Sequence, residues 1–224
     1  MRRFFGKAVR VLVGLALLFP TVALVRTLLR LGGVFRNTEA AFVLGISFGA
    51  GVVFFTMFRQ SSPAYVFSHE LTHWLAAKLF GRRTGRFRVR AHRGSVDIER
   101  PNVWITLAPY AVPLYTLLWI GSCGIAGIAI GGAGTWTRPT AYAGIGITYA
   151  FHVTYTLHCL RLEQADLARY GRLFSLSLIL FCNVLLLTLF AMASSGAWER
   201  GAKLAVRLTQ EEVRWCVAWV RTLF

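Results

Sequence analysis

The stretch "SPAYVFSHELTHWLAAKLFG" occupies residues 62–81. It is apolar enough to form a membrane helix, yet its middle holds His69, Glu70 and His73. Insertion scales assign about 2.5 to 3.5 kcal/mol to each charged residue at the bilayer centre, so such side chains are either paired or chemically employed. Ser62 before Pro63 favours a helix start, with serine as N-cap and proline at the first helical position, and Gly81 favours its end. On that helix His69 and His73 are four residues apart, so their imidazoles leave one face a turn apart and can share a metal ion. Glu70, beside the first imidazole, can reach a water at that metal and take its proton. This is the H-E-x-x-H arrangement, and zinc is the metal whose catalytic sites use it. The competing reading is a pair of membrane histidines hydrogen-bonded to neighbouring helices with Glu70 protonated in the core. It leaves each of the three groups in need of a separate partner.

Working outward, the chain has 224 residues, of which 56% are hydrophobic. That is too apolar for an ordinary soluble domain, and the apolar runs are long enough to cross a hydrocarbon core of about 30 Å. The expected fold class is an all-α polytopic membrane protein with about six transmembrane helices, a small cytoplasmic β-hairpin and a C-terminal amphipathic helix. Six apolar segments can be drawn, at 9–29, 40–58, 63–80, 103–130, 140–160 and 173–193, with prolines interrupting the first (Pro20) and the fourth (Pro109, Pro113). The pairs Gly45 with Gly49 and Gly127 with Gly131 would let helices approach closely. Residues 1–194 read as one transmembrane domain and 195–224 as an amphipathic helix lying in the membrane interface.

The net charge is +16. In a soluble protein this would suggest nucleic acid, but the basic residues lie mainly between apolar runs and no nucleic-acid-binding motif accompanies them. Anionic headgroups and the positive-inside rule account for them, so the expected surroundings are a lipid bilayer and not nucleic acid. The loop "GRRTGRFRVRAHRGSVDIERPN" carries seven arginines and "GGAGTWTRPT" one, which puts the arginine-rich loop in the cytoplasm. The same parity leaves Arg2, Arg3, Lys7 and Arg10 on the opposite side, so the first segment either does not cross fully or crosses against the rule. Its basic start and apolar run read as a retained signal anchor, since no small-residue cleavage site follows. Cys123, Cys159, Cys182 and Cys216 are far apart and imply no disulfide framework.

Within the arginine-rich loop, "RFRVRA" alternates arginine with Phe87, Val89 and Ala91, "HRGS" supplies a turn, and "VDIE" alternates again. A β-hairpin over 85–100 is expected, with charged rungs across its strands and a free edge to which an extended peptide could add. A plain basic linker touching headgroups is the other reading.

A catalytic zinc usually has three protein ligands and an open position. The chain contains only two aspartates, Asp97 in the expected hairpin and Asp166 ahead of the sixth segment. Asp166 lies close to the membrane at the end toward which His73 points, and it leads the candidates. His158, His152 and Glu163 compete.

HELTH on a membrane helix, a β-rich loop, a proline-containing helix with "APYAVP", and Asp166 some ninety residues downstream together resemble the site-2 protease family of intramembrane zinc metalloproteases. The resemblance covers roughly residues 60–190. It implies zinc as cofactor, His69, His73 and Asp166 as ligands, and Glu70 as general base. It implies a membrane-protein or membrane-bound peptide as substrate. The family's aspartate usually stands in an L-D-G context, whereas here the surroundings are Ala165, Asp166 and Leu167. "QADLARYGRLFSLSLILFCN" is closer to a compact branch of these peptidases, and by that likeness Asn183 supports the site or contacts substrate. An interhelical hydrogen bond is its other reading. With no PDZ-like domain, substrate selection would fall to the membrane part, the hairpin, or a membrane or adaptor partner.

The expected function is therefore zinc-dependent peptide-bond hydrolysis in or near a bilayer, with a bacterial cytoplasmic membrane as the expected location. A scaffold or assembly factor that retains a metallopeptidase fold is the alternative. A metal- or haem-handling protein that uses His152 and His158 is a third reading.

Overall fold

The computed structural model describes residues 2–35, 38–57, 63–90, 93–129, 137–161 and 165–222. Ser62, Gly131, Glu163 and the His92 turn position, to which expectations were attached above, lie outside the described residues. The order is α1 (Arg2–Phe35), α2 (Glu39–Met57), α3 (Pro63–Leu79), β1 (Thr84–Val89), β2 (Gly94–Ile98), α4 (Val103–Ala111), α5 (Leu114–Ala129), α6 (Thr137–Arg161), α7 (Ala165–Tyr170), α8 (Arg172–Ser195) and α9 (Trp198–Arg221). The all-α architecture with one two-stranded hairpin follows the expectation.

Three helical stretches are long and apolar enough to cross a membrane: Gly6–Leu31, Glu39–Met57 and Arg172–Ser195. A fourth is added if α4 and α5, bent by 71°, count as one span. The segments 63–80 and 140–160 form helices but do not meet the same standard. The 17 residues of α3 include His69, Glu70, His73 and Lys78, and α6 is rich in threonine, tyrosine and histidine. The two prolines of the first and fourth segments act differently. Helix α1 runs unbroken through Pro20, whereas the chain after Ala111 turns at Val112 and Pro113 before α5 begins.

The chain forms two compact units, Met1–Phe42 with Leu167–Phe224, and Val43–Asp166. In the first, α1 packs on α8 and α9. Gly14 permits the close approach of α8, since a methyl group there would lie 3.1 Å from the Phe174 Cα. Ala23, Thr27 and Leu31 of α1 and Leu208 of α9 are fully buried. Threonines inside these helices satisfy themselves on the preceding turn: Thr21 donates to the Leu17 carbonyl at 2.7 Å and Thr188 to that of Val184 at 2.7 Å. Arg26 of α1 pairs with Glu212 of α9, with Glu211 3.8 Å away. Helix α9 is strongly amphipathic, with Gly201 and Leu208 inward and Trp198, Trp215 and Trp219 exposed.

In the second unit, α3 is the hub, contacting α4, the hairpin and α5. Its C-terminus closes on Gly81, whose φ of +64° is the left-handed conformation glycine adopts without strain. Arg82 N–H bonds back to the Ala77 carbonyl at 2.8 Å and Gly81 N–H to that of Lys78 at 3.0 Å, a Schellman closure that turns the chain straight into β1. The hairpin is antiparallel and pairs Phe87 with Val96 and Arg88 with Ser95. The expected charged rungs do not form: the register sets Arg88 against a serine, and among the described residues no ion pair joins the strands. An irregularity between Thr84 and Phe87 displaces the start of β1 from simple alternation. The hairpin lies against α3, with Phe87 edge-on to Phe67 at 6.1 Å. Gly51 and Gly146 bring α2 and α6 together, since a methyl group at either would collide with the other helix.

Candidate metal centre

The four-residue spacing on α3 does what helix geometry requires of it. The rings of His69 and His73 stand edge to face, 4.9 Å apart. Asp166, in the first turn of α7, joins them: His69, His73 and Asp166 each offer one ligand atom, and these atoms lie within 4.8 Å of one another. Among the described residues they are the group able to hold a metal ion. His152 and His158 of α6 do not belong to it; His152 is buried against the Tyr149 ring.

The details suit a metal. Asp166 Oδ2 is 3.5 Å from His73 Nε2. Two tetrahedral ligands held about 2.1 Å from a zinc ion are separated by about 3.4 Å. His73 Nδ1 donates to the Ile105 carbonyl at 2.8 Å, which leaves Nε2 as the lone-pair nitrogen facing Asp166. Tyr110, fully buried, donates its hydroxyl to Asp166 Oδ2 at 3.1 Å and sets its ring edge-on to His69 at 5.1 Å. His69 Nδ1 is buried without a hydrogen-bond partner, which leaves a polar atom in want of one. Burial would raise the Asp166 carboxyl, but without a metal a proton on His73 Nε2 hydrogen-bonds it and the imidazolium charge holds Asp166 below the ordinary carboxylate range; a metal ion would take the place of that proton. An ionised oxygen beside two imidazoles is the donor set that zinc accepts.

Glu70 is nearly buried, on the side of α3 covered by the hairpin. The first residue of β2, Gly94, comes so close that a Cβ there would lie 2.3 Å from Glu70 Cγ. A side chain at this position would have to push aside either the strand or the Glu70 side chain. On the other flank Tyr65 stands 5.8 Å from the His69 ring and stacks on Tyr155 at 5.2 Å, and Phe151 packs on Tyr155 at 4.6 Å. The site thus has a polar centre, an aromatic side and a β-strand side.

Asn183 lies in α8, in the other unit, and its side-chain amide donates to the Ile179 carbonyl of its own helix at 2.9 Å. Sequence reasoning named the three residues that the fold brings together, with Asp166 leading its candidates for the third, and singled out Glu70 beside them. It missed Tyr110, the Ile105 carbonyl and Gly94, although the two prolines of "APYAVP" had marked α4 as irregular. Known protein families, curated proteins and solved structures contain no match for the chain.

Proposed function

We propose that this protein is an intramembrane zinc metalloendopeptidase, similar to the site-2 proteases, that hydrolyses a peptide bond of a membrane protein or membrane-bound peptide. The observation that carries the reading is the convergence of His69, His73 and Asp166 with Glu70 on the adjacent position of the same helix. Zinc held by His69, His73 and Asp166 would supply Lewis acidity toward a carbonyl oxygen and bring the pKa of water toward about 7.

The chain's own residues do the rest. Glu70 removes a proton from the attacking water as its oxygen bonds to the scissile carbonyl carbon, and returns a proton to the nitrogen as the C–N bond breaks. Tyr65, Tyr155 and Phe151 pack into an aromatic wall that keeps the His69 flank of the site apolar. Helices hide their carbonyls, so a substrate helix must unwind locally, and the edge of the β1–β2 hairpin holds the extended stretch. In this reading six segments cross a bacterial cytoplasmic membrane, with the hairpin on the cytoplasmic side.

The test is metal content by elemental mass spectrometry on detergent-purified protein, alongside cleavage of a panel of membrane-anchored reporter peptides. Wild type and Glu70→Gln should each hold about one zinc, and Asp166→Ala should lose it, as a three-ligand site requires. Wild type purified without chelator and free of zinc would end the peptidase reading and favour a scaffold that keeps only the shape of the site.

A further inference from the structure

Helix α4 has an irregularity that the site uses. In an α-helix the carbonyl of residue i accepts from the N–H of residue i+4, so the Ile105 carbonyl should be taken by residue 109. Residue 109 is proline, which has no N–H to give. The freed carbonyl sits in a fully buried part of α4, where an unused acceptor is costly. His73 Nδ1 fills it at 2.8 Å. The residue after the proline is Tyr110, whose hydroxyl bonds Asp166 Oδ2 at 3.1 Å. Two consecutive residues of a nine-residue helix therefore govern the contacts behind two of the three candidate ligands. On the other side, Asn102 caps α4 by accepting the Ile105 N–H at 2.8 Å, so Ile105 is held through both its N–H and its carbonyl.

We infer that Pro109 and Tyr110 are positioning residues of the metal centre: Pro109 withholds the helical donor that would compete for the Ile105 carbonyl, and Tyr110 fixes the Asp166 carboxylate. With its Nδ1–H committed to Ile105, the His73 ring is held in one tautomer and one orientation. A donor restored at residue 109 would draw the Ile105 carbonyl back into the helix and leave the imidazole free to turn. Loss of the Tyr110 hydroxyl would leave Asp166 free to rotate away from the histidines. Such supporting contacts typically change metal affinity by about 10- to 100-fold. The inference rests on the metal-centre reading above, and the experiment separates the two.

Full-length protein in detergent is titrated with cobalt(II) against a chromophoric chelator, and the visible absorption of the bound ion and the thermal midpoint of the metal-free protein are recorded. Pro109→Ala supplies an N–H, Tyr110→Phe removes one oxygen and keeps the ring, and Tyr115→Phe is the control, because its hydroxyl bonds the Ala64 carbonyl. Pro109→Ala and Tyr110→Phe should each weaken cobalt binding by about 10-fold or more and alter the cobalt spectrum, as loss of a contact that orients a ligand does. Tyr115→Phe should bind as wild type does. A merely structural role for the two residues would lower the metal-free midpoint and leave affinity and spectrum unchanged, and that result overturns the inference while the metal centre stands. If Pro109→Ala does not fold, Tyr110→Phe with wild-type affinity is enough to overturn it. Wild type that binds no cobalt overturns both.

Discussion

In the unit of α1, α8 and α9, helices of 34, 24 and 24 residues run without a break, and their buried threonines bond carbonyls of their own helix. In the unit of residues 43–166, α3, α4 and α5 have 17, 9 and 16 residues, and the α4–α5 pair is bent by 71°. Continuous helices consume their backbone groups internally, which suits lipid and leaves nothing over for a ligand. A broken helix has carbonyls to spare. The Ile105 carbonyl holds an imidazole because a proline interrupts its ladder, and the Gly94 backbone reaches Glu70 because a strand takes over where α3 ends. The second unit also contains the unbroken α6 and most of α2, so it is the breaks after α3 and between α4 and α5 that free backbone groups beside the candidate metal centre.

That contrast can be broken at its chemical end first. Glu70→Gln should lower cleavage by about 10²- to 10⁴-fold, the usual worth of a general base, with zinc content unchanged. Retained cleavage would remove Glu70 from the reaction. Gly94→Ala should lower turnover by about 100-fold, since a displacement of about 1 Å at a reacting group costs that much, and leave zinc in place. Crosslinking or a crystal structure showing β2 unmoved and activity intact would sever the hairpin from Glu70.

At the packing end the expected effects are smaller and fall on stability alone. Leu31→Ala should cost about 1.5 kcal/mol, a void of roughly 60 Å³ at about 24 cal/mol per Å³. The transfer contribution is largely missing because lipid is as apolar as leucine. Thermal unfolding in detergent reads it, and metal affinity should not change. Arg26→Ala should cost less than about 1 kcal/mol, because the pair with Glu212 is partly exposed. A loss of zinc from either variant would show that the division of labour between the units is false.

The same contrast marks what could be read from residues alone. HELTH was legible because an i, i+4 pair on one helix face needs no tertiary information, and the hairpin was legible from alternation around a turn. Gly81 was legible as a stop because a Schellman closure needs glycine. The count of spans was less legible: 63–80 and 140–160 fold as helices, but a short length in the one and polar residues in the other keep them below the standard the other spans meet. Tyr110, Gly94 and the Ile105 carbonyl act through approaches between residues 24 to 56 positions apart in sequence, read from Tyr110 and Asp166, Gly94 and Glu70, and His73 and Ile105. No local pattern encodes such meetings. The proline in α4 was visible, but its use depends on which imidazole comes to stand beside the gap it leaves.

The length of α1 has a consequence of its own. Thirty-four residues at 1.5 Å each make a rod of about 51 Å, against a hydrocarbon core of about 30 Å. About 20 Å must stand clear of the acyl chains or be taken up by tilt, and Arg26, which lies within the apolar stretch Gly6–Leu31, has its charge paired with Glu212 of α9. A thinner bilayer would leave more of this rod outside the acyl chains, and a thicker one would need less tilt to cover it.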